Sequence, residues 1–106
     1  MELHKIETNG QTLTLTINGN LDADGSRSAQ RQIDYVIANQ NHSDVTVDFR
    51  NVQFLDPSGV GALVYLYKRL VEKQRNMRIE HVAGQPLEII SLLRIDKAIP
   101  VNCYDS

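Results

Sequence analysis

Apolar residues alternate with threonine near the start of the chain, over residues 12–17. This period of two predicts a β-strand with one face on a core. The Asn9-Gly10 pair just before it supplies the positive backbone angles of a tight turn. We therefore expect the shorter run 3–7 to pair with this strand as an antiparallel hairpin.

Three later segments change to the period of a helix. Amphipathic helices are predicted from residue 24 to 40 and from about 57 to 75, where apolar residues recur at helical spacing. A shorter helix is expected to begin at Pro86, because proline suits the first helical position. The apolar positions are Ala29, Ile33, Val36 and Ile37 in the first helix, Val60, Leu63, Tyr67, Leu70 and Val71 in the second, and Leu87, Ile90, Leu92 and Leu93 in the third.

The segments between these helices have strand character. Residues 44–50 alternate again, residues 77–82 follow the second helix, and residues 98–101 follow the third. Pro100 marks the last of these strands as an edge, because proline cannot donate a ladder hydrogen bond. The order β-β-α-β-α-β-α-β predicts an α/β fold, with a largely parallel sheet entered by one antiparallel hairpin.

Size and charge restrict the function. A chain of 106 residues is expected to form one domain, residues 1–106, with a single core. A net charge of -2 offers no basic field for nucleic acid or an anionic membrane. The stretch "MELHKIETNGQ" has no apolar h-region behind a positive start, and no apolar run is long enough to span a membrane, so we expect a cytoplasmic protein. The single cysteine, Cys103, cannot form an internal disulfide.

The tetrad Asp56-Pro57-Ser58-Gly59 interrupts an apolar run just before the second helix. Asp56 suits the N-cap and Pro57 the first helical position, which places Ser58 near the positive end of the helix, where phosphate is tolerated. Gly59 and Gly61 each cost roughly 1 kcal/mol relative to alanine, which suggests close approach by another chain or element. Alternatively, Ser58 is an ordinary first-turn residue and both glycines simply fit the sheet.

Catalysis and cofactor binding find little support in the residues. The motif around Ser58 lacks the G-x-S-x-G pattern of an elbow nucleophile. The histidines His4, His42 and His81 lie in separate segments, with neither a relay partner nor metal-ligand spacing. "SGVGAL" lacks the lysine of a P-loop and the third glycine of a dinucleotide site. We expect no enzyme activity, no metal and no cofactor.

Charged residues elsewhere have structural explanations. The cluster Lys68, Arg69, Lys73 and Arg75 is expected to be a solvated helix face, since Glu72 interrupts it. The acids Asp22 and Asp24 are expected to form the turn and cap before the first helix.

The sequence resembles the STAS domain family, and specifically the anti-sigma factor antagonists, over about residues 2–104. The resemblance rests on the order of elements, on Leu21-Asp22 after the second strand, and on the block "VTVDFRNVQFLDPSGVGALVYLYKRL". It implies a mixed sheet of about five strands with helices packed on one face.

The resemblance also implies a mechanism of partner switching. The unphosphorylated antagonist binds a serine kinase of the anti-sigma type and releases that kinase's client, a sigma factor or a regulator of biofilm polysaccharide. Phosphorylation at the head of the second helix reverses binding, and a PP2C-like phosphatase resets the system. We expect a monomer or weak homodimer. The phosphate acceptor is expected to be Ser58, and the residues that flank it and contact the partner are expected to be Asp22, Asp56, Pro57, Gly59, Val60 and Gly61.

One departure from the family pattern leaves two possibilities. The usual phosphate acceptor follows the aspartate directly, and here that position is Pro57, which has no hydroxyl. Either the kinase uses Ser58, one place later, or the protein is a constitutive binder, such as a STAS subunit of a transporter-type complex. The resemblance also places Asp22 beside the phosphosite, where an acid could help to orient the kinase's nucleotide or metal.

Overall fold

The computed structural model of the chain describes residues 2–7, 11–39 and 42–103. In that part of the chain, no helix is long and apolar enough to cross a membrane. The turn expected at Asn9-Gly10 lies outside the described residues. The elements are β1 (Glu2–Glu7), β2 (Thr12–Asn18), α1 (Ala23–Asn39), β3 (Asp44–Asn51), α2 (Pro57–Glu72), β4 (Asn76–Val82), α3 (Gly84–Leu92), a 3-10 turn (Ile95–Lys97) and β5 (Val101–Cys103).

The strands form one sheet in the order β1-β2-β3-β4-β5. The four strands β2 to β5 are parallel to one another, and β1 pairs antiparallel with β2 at the edge. In the centre of the sheet, Leu15 lies opposite Val47, which in turn lies opposite Ile79. The predicted α/β class is confirmed.

The alternation in the strands decides which face of the sheet the helices cover. Each connection from β2 to β5 joins neighbouring parallel strands in the same direction, and right-handed crossovers then place α1, α2 and α3 on one face. The side chains on that face are apolar and belong to one buried core. The largest of its fully buried members are Phe49, Leu15, Leu21, Leu55, Leu66, Leu70, Ile79 and Ile90.

The opposite face of the sheet is polar. Asp48 is buried there, with 6% of its surface exposed, and its carboxylate accepts hydrogen bonds from the backbone N–H and Nε of Arg50 at 2.9 and 3.0 Å. The Nδ1 atom of His81 lies 3.1 Å from the same carboxylate. This contact gives His81 a structural role on the polar face of the sheet.

The C-terminal third differs from the sequence prediction in its boundaries. The third helix begins at Gly84, whose φ of +60° suits glycine, so Pro86 lies in its first turn and not at its start. The last strand is β5, three residues later than the predicted 98–101, because residues 95–97 form a 3-10 turn before it.

Leu92 and Leu93 were wrongly assigned to the buried side of the third helix. They are 79% and 46% exposed, whereas Ile90 is fully buried. The helix has only nine residues, and the chain leaves it through Arg94 in the left-handed conformation, with φ of +59°. Its last residues therefore extend beyond the edge of the core.

The prediction for Arg75 is also wrong, because this residue does not belong to a solvated helix face. The second helix ends at Glu72, and the chain then reverses at Gln74, which has a φ of +59°. The reversal turns Arg75 inward, where only 7% of its surface is exposed. Its Nε atom donates to the backbone oxygen of His42 at 2.6 Å.

Candidate functional site

The candidate site lies at the carboxyl edge of the parallel strands. There β2, β3 and β4 run into the loops that begin α1, α2 and α3. In parallel α/β sheets this edge is where binding residues usually gather, because loops from neighbouring strands meet there. The tetrad at residues 56–59 occupies the central one of these loops.

The start of α2 is built as the sequence predicts. Asp56 is the N-cap, with φ of -103° and ψ of 176°, and its carboxylate accepts from the backbone N–H of Gly59 at 3.0 Å. Pro57 is the first helical residue, where its missing N–H costs nothing. Ser58 is the second helical residue, and its side chain is exposed.

The start of α1 repeats this arrangement beside it. Asp22 precedes the helix, and its carboxylate accepts from the backbone N–H of Gly25 at 2.8 Å. Asp22 is therefore the cap, while Asp24 lies in the first turn and forms an ion pair with Arg27. Two helices thus begin at the same edge of the sheet, each capped by an aspartate that is not fully buried.

The backbone ties these two helix starts together. Leu21 and Leu55 form an isolated parallel bridge outside the named strands. The N–H of Leu21 donates to the oxygen of Phe54 at 2.9 Å, and the N–H of Asp56 donates to the oxygen of Leu21 at 3.1 Å. The loop that carries Asp22 therefore has a fixed position relative to the loop that carries Ser58.

The two glycines of the motif have different surroundings. A Cβ on Gly59 would lie 2.5 Å from the backbone oxygen of Leu21 and 2.6 Å from Cδ1 of Leu55, so only glycine fits there. A Cβ on Gly61 would meet nothing within 4 Å, and the residue is exposed. The contact between loops therefore accounts for Gly59, and no contact within the described chain accounts for Gly61.

Val60 is not at the surface. We predicted that it would contact a partner, but only 6% of it is exposed and it packs in the core. It belongs to the apolar stripe of α2, which points toward the sheet. Pro57, Ser58 and Gly61 are the motif residues that present an exposed surface.

Gln85 is a site residue that sequence reasoning missed. Its side-chain amide bonds both backbone groups of Leu55: the Leu55 N–H donates to Oε1 at 2.8 Å, and Nε2 donates to the Leu55 oxygen at 2.7 Å. A glutamine near a helix start gives no signal in sequence that it will bind a distant loop. Phe54, beside Leu55, was also missed, and 42% of it is exposed at this edge.

The exposed surface continues along α2 onto α1. The hydroxyl of Tyr65 donates to Asp34 of α1 at 2.8 Å. Arg69 lies over the Tyr65 ring, 5.7 Å from its centroid, and pairs with Glu72 at 3.0 Å. The hydrogen bond with Tyr65 and the charge of Glu72 raise the pKa of Arg69. The bond between Tyr65 and Asp34 joins α2 to α1.

The chemistry available at this edge is that of an accessible hydroxyl and not of an activated nucleophile. Among the described residues, no side chain forms a hydrogen bond with the Ser58 hydroxyl, so no general base is positioned there. Within the same residues, no cluster of three His, Cys, Asp or Glu side chains could hold a metal. Ser58 is therefore an exposed hydroxyl in the first turn of α2, with no positioned base among the described residues.

Comparisons with known sequences agree on one family. The family model described as "Mlab, STAS domain" matches residues 4–101. An anti-sigma F factor antagonist of Paenibacillus polymyxa is 24% identical over 102 residues, which are 96% of this chain and 86% of that protein.

Solved structures share the fold. An anti-sigma-factor antagonist (STAS) domain protein from Planctomyces limnophilus matches with a TM-score of 0.82 and 17% identity, over 97% of this chain and 90% of that one. The Bacillus cell fate determinant SpoIIAA in its phosphorylated form matches with a TM-score of 0.73 and 14% identity, over 94% and 90%. The anti-sigma factor antagonist SpoIIAA in its unphosphorylated form matches with 0.72 and 14%, over 99% and 90%. The names of these relatives describe antagonists of other proteins and not enzymes.

Proposed function

Because the chain belongs to the STAS domain family, we propose that it is a partner-switching regulator of the anti-sigma factor antagonist type. It acts by binding and not by catalysis. Its unphosphorylated form binds a serine kinase of the anti-sigma type, and phosphorylation of Ser58 reverses that binding. The observation that carries this proposal is the exposed Ser58 hydroxyl in the first turn of α2, beside two aspartate-capped helix starts.

Ser58 is the acceptor because of its position in the helix. Pro57, directly after the capping aspartate, has no hydroxyl, and Gly59 has no side chain. The Ser58 side chain is exposed at the end of the sheet, so a kinase can reach it. The helix dipole stabilises a negative charge in this first turn, typically by about 0.3–1 kcal/mol.

The charge of a phosphate is sufficient to release a closely bound partner. A phosphoserine adds about -1.5 to -2 charges. Two unit charges about 5 Å apart at an effective dielectric near 20 interact by roughly 3 kcal/mol. An acid of the partner that faces this turn would be repelled by that amount, which corresponds to an affinity on the order of a hundredfold weaker.

The position of Gly61 supports the surface beside Ser58 as the docking site. It is exposed and lies in the first turns of α2, where glycine costs about 1 kcal/mol relative to alanine. Nothing within the described chain requires it. A partner that approaches the backbone of α2 closely beside Ser58 would supply the missing reason, because a side chain there would hold the partner away.

The other members of the system are inferred from the family. A PP2C-like phosphatase would restore the unphosphorylated form. The client released by the kinase would be a sigma factor or a regulator of biofilm polysaccharide. Two observations support this class of mechanism. One relative is named as an anti-sigma F factor antagonist, and structures of SpoIIAA have been solved in both its phosphorylated and its unphosphorylated form.

Intact-mass and fragment spectrometry of the protein from its native cells, in growth and in stress, tests the acceptor. We expect one phosphate on Ser58 whose occupancy changes with condition and which is absent from Ser58→Ala. Affinity capture from the same cells then tests the switch. Wild type and Ser58→Ala should retain a kinase that Ser58→Asp loses, whereas Ser91→Asp, which adds the same charge at an exposed serine of α3, should retain it.

A second candidate function is favoured by Pro57 alone. If this protein is a constitutive binder, it would be a non-phosphorylated STAS subunit of a transporter-type complex. Ser58 would then carry no phosphate in any condition, even with a cognate kinase present. Wild type and Ser58→Asp would capture the same partner, a transporter component, equally well. Either result would reject the switching mechanism at this motif.

A further inference from the structure

A cavity lies at the opposite edge of the sheet, where β3, β4 and β5 begin. Its volume is about 530 Å³, within the range typical of small-molecule sites. β3 has eight residues and strands rise about 3.3 Å per residue, so this edge is about 25 Å from the phosphorylation motif. Its apolar walls are formed by Tyr67, Val71, Met77, Ala98 and Pro100.

Arg75 is one of the residues that line this cavity, and its guanidinium lies behind the cavity wall, buried and incompletely bonded. Its Nε atom is bonded to the backbone oxygen of His42, but both terminal nitrogens are buried and have no hydrogen-bond partner in the described structure. Burial lowers the pKa of Arg75. A buried cation with unsatisfied donors is costly, and a bound group that accepts hydrogen bonds from those donors would lower this cost.

The other charged groups at the cavity already have partners. Arg78 donates through Nε to Thr46 at 3.1 Å and pairs with Glu80 at 3.1 Å. Asp44, the acid at the rim, accepts from the side-chain amide of Asn76 at 3.2 Å. Among the described residues that line the cavity, Arg75 is therefore the cation without an acid.

We propose that this cavity binds an amphiphilic organic anion, with a carboxylate or phosphate on an apolar body. The anionic group would accept hydrogen bonds from the two terminal nitrogens of Arg75, whose fork geometry matches such groups. The apolar body would lie against Tyr67, Val71 and Met77. Nothing in the phosphorylation motif is involved, so the cavity is a separate site.

The burial of Arg75 selects against simple ions. Both terminal nitrogens are closed to solvent, so an anion reaches them only when the covering side chains move apart. An amphiphile offsets the free-energy cost of that rearrangement because its apolar body leaves water at the same time. Inorganic phosphate has no apolar surface and gains no such compensation.

Thermal unfolding and amide chemical-shift titration of the full chain test the site with four probes. Hexanoate and hexyl phosphate should raise the Tm and shift the amides of Tyr67, Met77 and Ala98, and their relative affinities distinguish the two head groups. Inorganic phosphate and hexanol should bind at least about tenfold more weakly. Arg75→Met should lower the affinity for hexanoate and for hexyl phosphate by roughly tenfold to a hundredfold, as expected for loss of charged hydrogen bonds.

Two further variants keep the test decisive. Arg69→Met removes an exposed cation of α2 that does not line the cavity, and it should bind like wild type. Ala98→Phe narrows the cavity from its exposed rim and leaves Arg75 in place. This substitution should lower the affinity for both amphiphiles. If the amphiphiles bind wild type and Arg75→Met equally, or shift no amide of the cavity, the proposal is overturned.

Discussion

The side chain of Gln85 bonds the backbone of Leu55 as a neighbouring strand would. One amide oxygen accepts from Leu55 at 2.8 Å and one amide nitrogen donates to it at 2.7 Å, so a residue of α3 satisfies a loop 30 positions earlier. Leu55 in turn is bridged to Leu21 and fully buried. Gln85 therefore joins the third helix to the loop in front of Ser58.

Replacing Gln85 by glutamate should destabilise the protein. The carboxylate cannot donate to the oxygen of Leu55, and it brings a charge to a partly buried position. We expect the free energy of unfolding to fall by about 1–3 kcal/mol, measured by urea denaturation. Gln53→Glu makes the same change at an exposed position and should alter stability by less than about 0.5 kcal/mol. Equal effects of both substitutions would contradict the role of Gln85.

The glycines Gly59 and Gly61 should respond in opposite directions to alanine. At Gly59 the new methyl group would clash with Leu21 and Leu55, and we expect a loss of about 1–3 kcal/mol. At Gly61 nothing obstructs the methyl group, and helix propensity should add about 0.5–1 kcal/mol. Denaturation of the two variants under the same conditions measures both effects. A destabilised Gly61→Ala would show that the residue has an internal role.

Gly61 also connects stability with binding. If the partner approaches α2 at this residue, Gly61→Arg should retain the fold and lose the kinase in affinity capture. The same substitution at Ser91, an exposed residue of α3, should leave capture unchanged. Retention of the kinase by Gly61→Arg would exclude this turn of α2 from the interface.

The capping role of Asp56 can be separated from its charge. Asp56→Ala removes the acceptor for Gly59 N–H and should cost about 0.5–2 kcal/mol. Asp56→Asn keeps an acceptor oxygen and should cost less, because asparagine caps helices nearly as well. Asp24→Ala, which removes an exposed acid that caps nothing, serves as the control. Equal losses for the two Asp56 variants would show that charge and not the hydrogen bond is responsible.

Arg75 should be dispensable for stability when no ligand is present. Arg75→Met fills a similar volume without a buried charge, and we expect a change between zero and about 2 kcal/mol in favour of the folded state. Arg75→Ala leaves space unfilled and should destabilise instead. Urea denaturation in a buffer free of organic anions measures both. A large loss of stability in Arg75→Met would show that the hydrogen bond to His42 contributes more free energy than the burial of the charge costs.

The sequence was sufficient for elements whose signal is local. Periodicity predicts the strand over residues 12–17 and the two long helices, because those elements have one clear apolar face. The aspartate and proline at 56 and 57 predict the start of α2, because capping is decided by adjacent residues. These features depend on chemistry within one or two turns of chain.

Features that depend on distant contacts were not predictable in the same way. The inward turn of Arg75 depends on a left-handed residue, Gln74, that breaks the helical pattern just before it. The exposure of Leu92 results from the early end of a nine-residue helix. The bond between Gln85 and Leu55 requires the sheet to be assembled first, so no pattern around either residue reveals it.

The bridge between Leu21 and Leu55 has a consequence for the kinetics of recognition. Because it orders both loops in the free protein, docking freezes little additional backbone, and association should resemble the meeting of two rigid bodies. The rate of encounter would then be governed by charge at the surface, and it should change with ionic strength. If Ser58 is phosphorylated as proposed, the added charge should alter how fast the partner arrives as well as how long it stays.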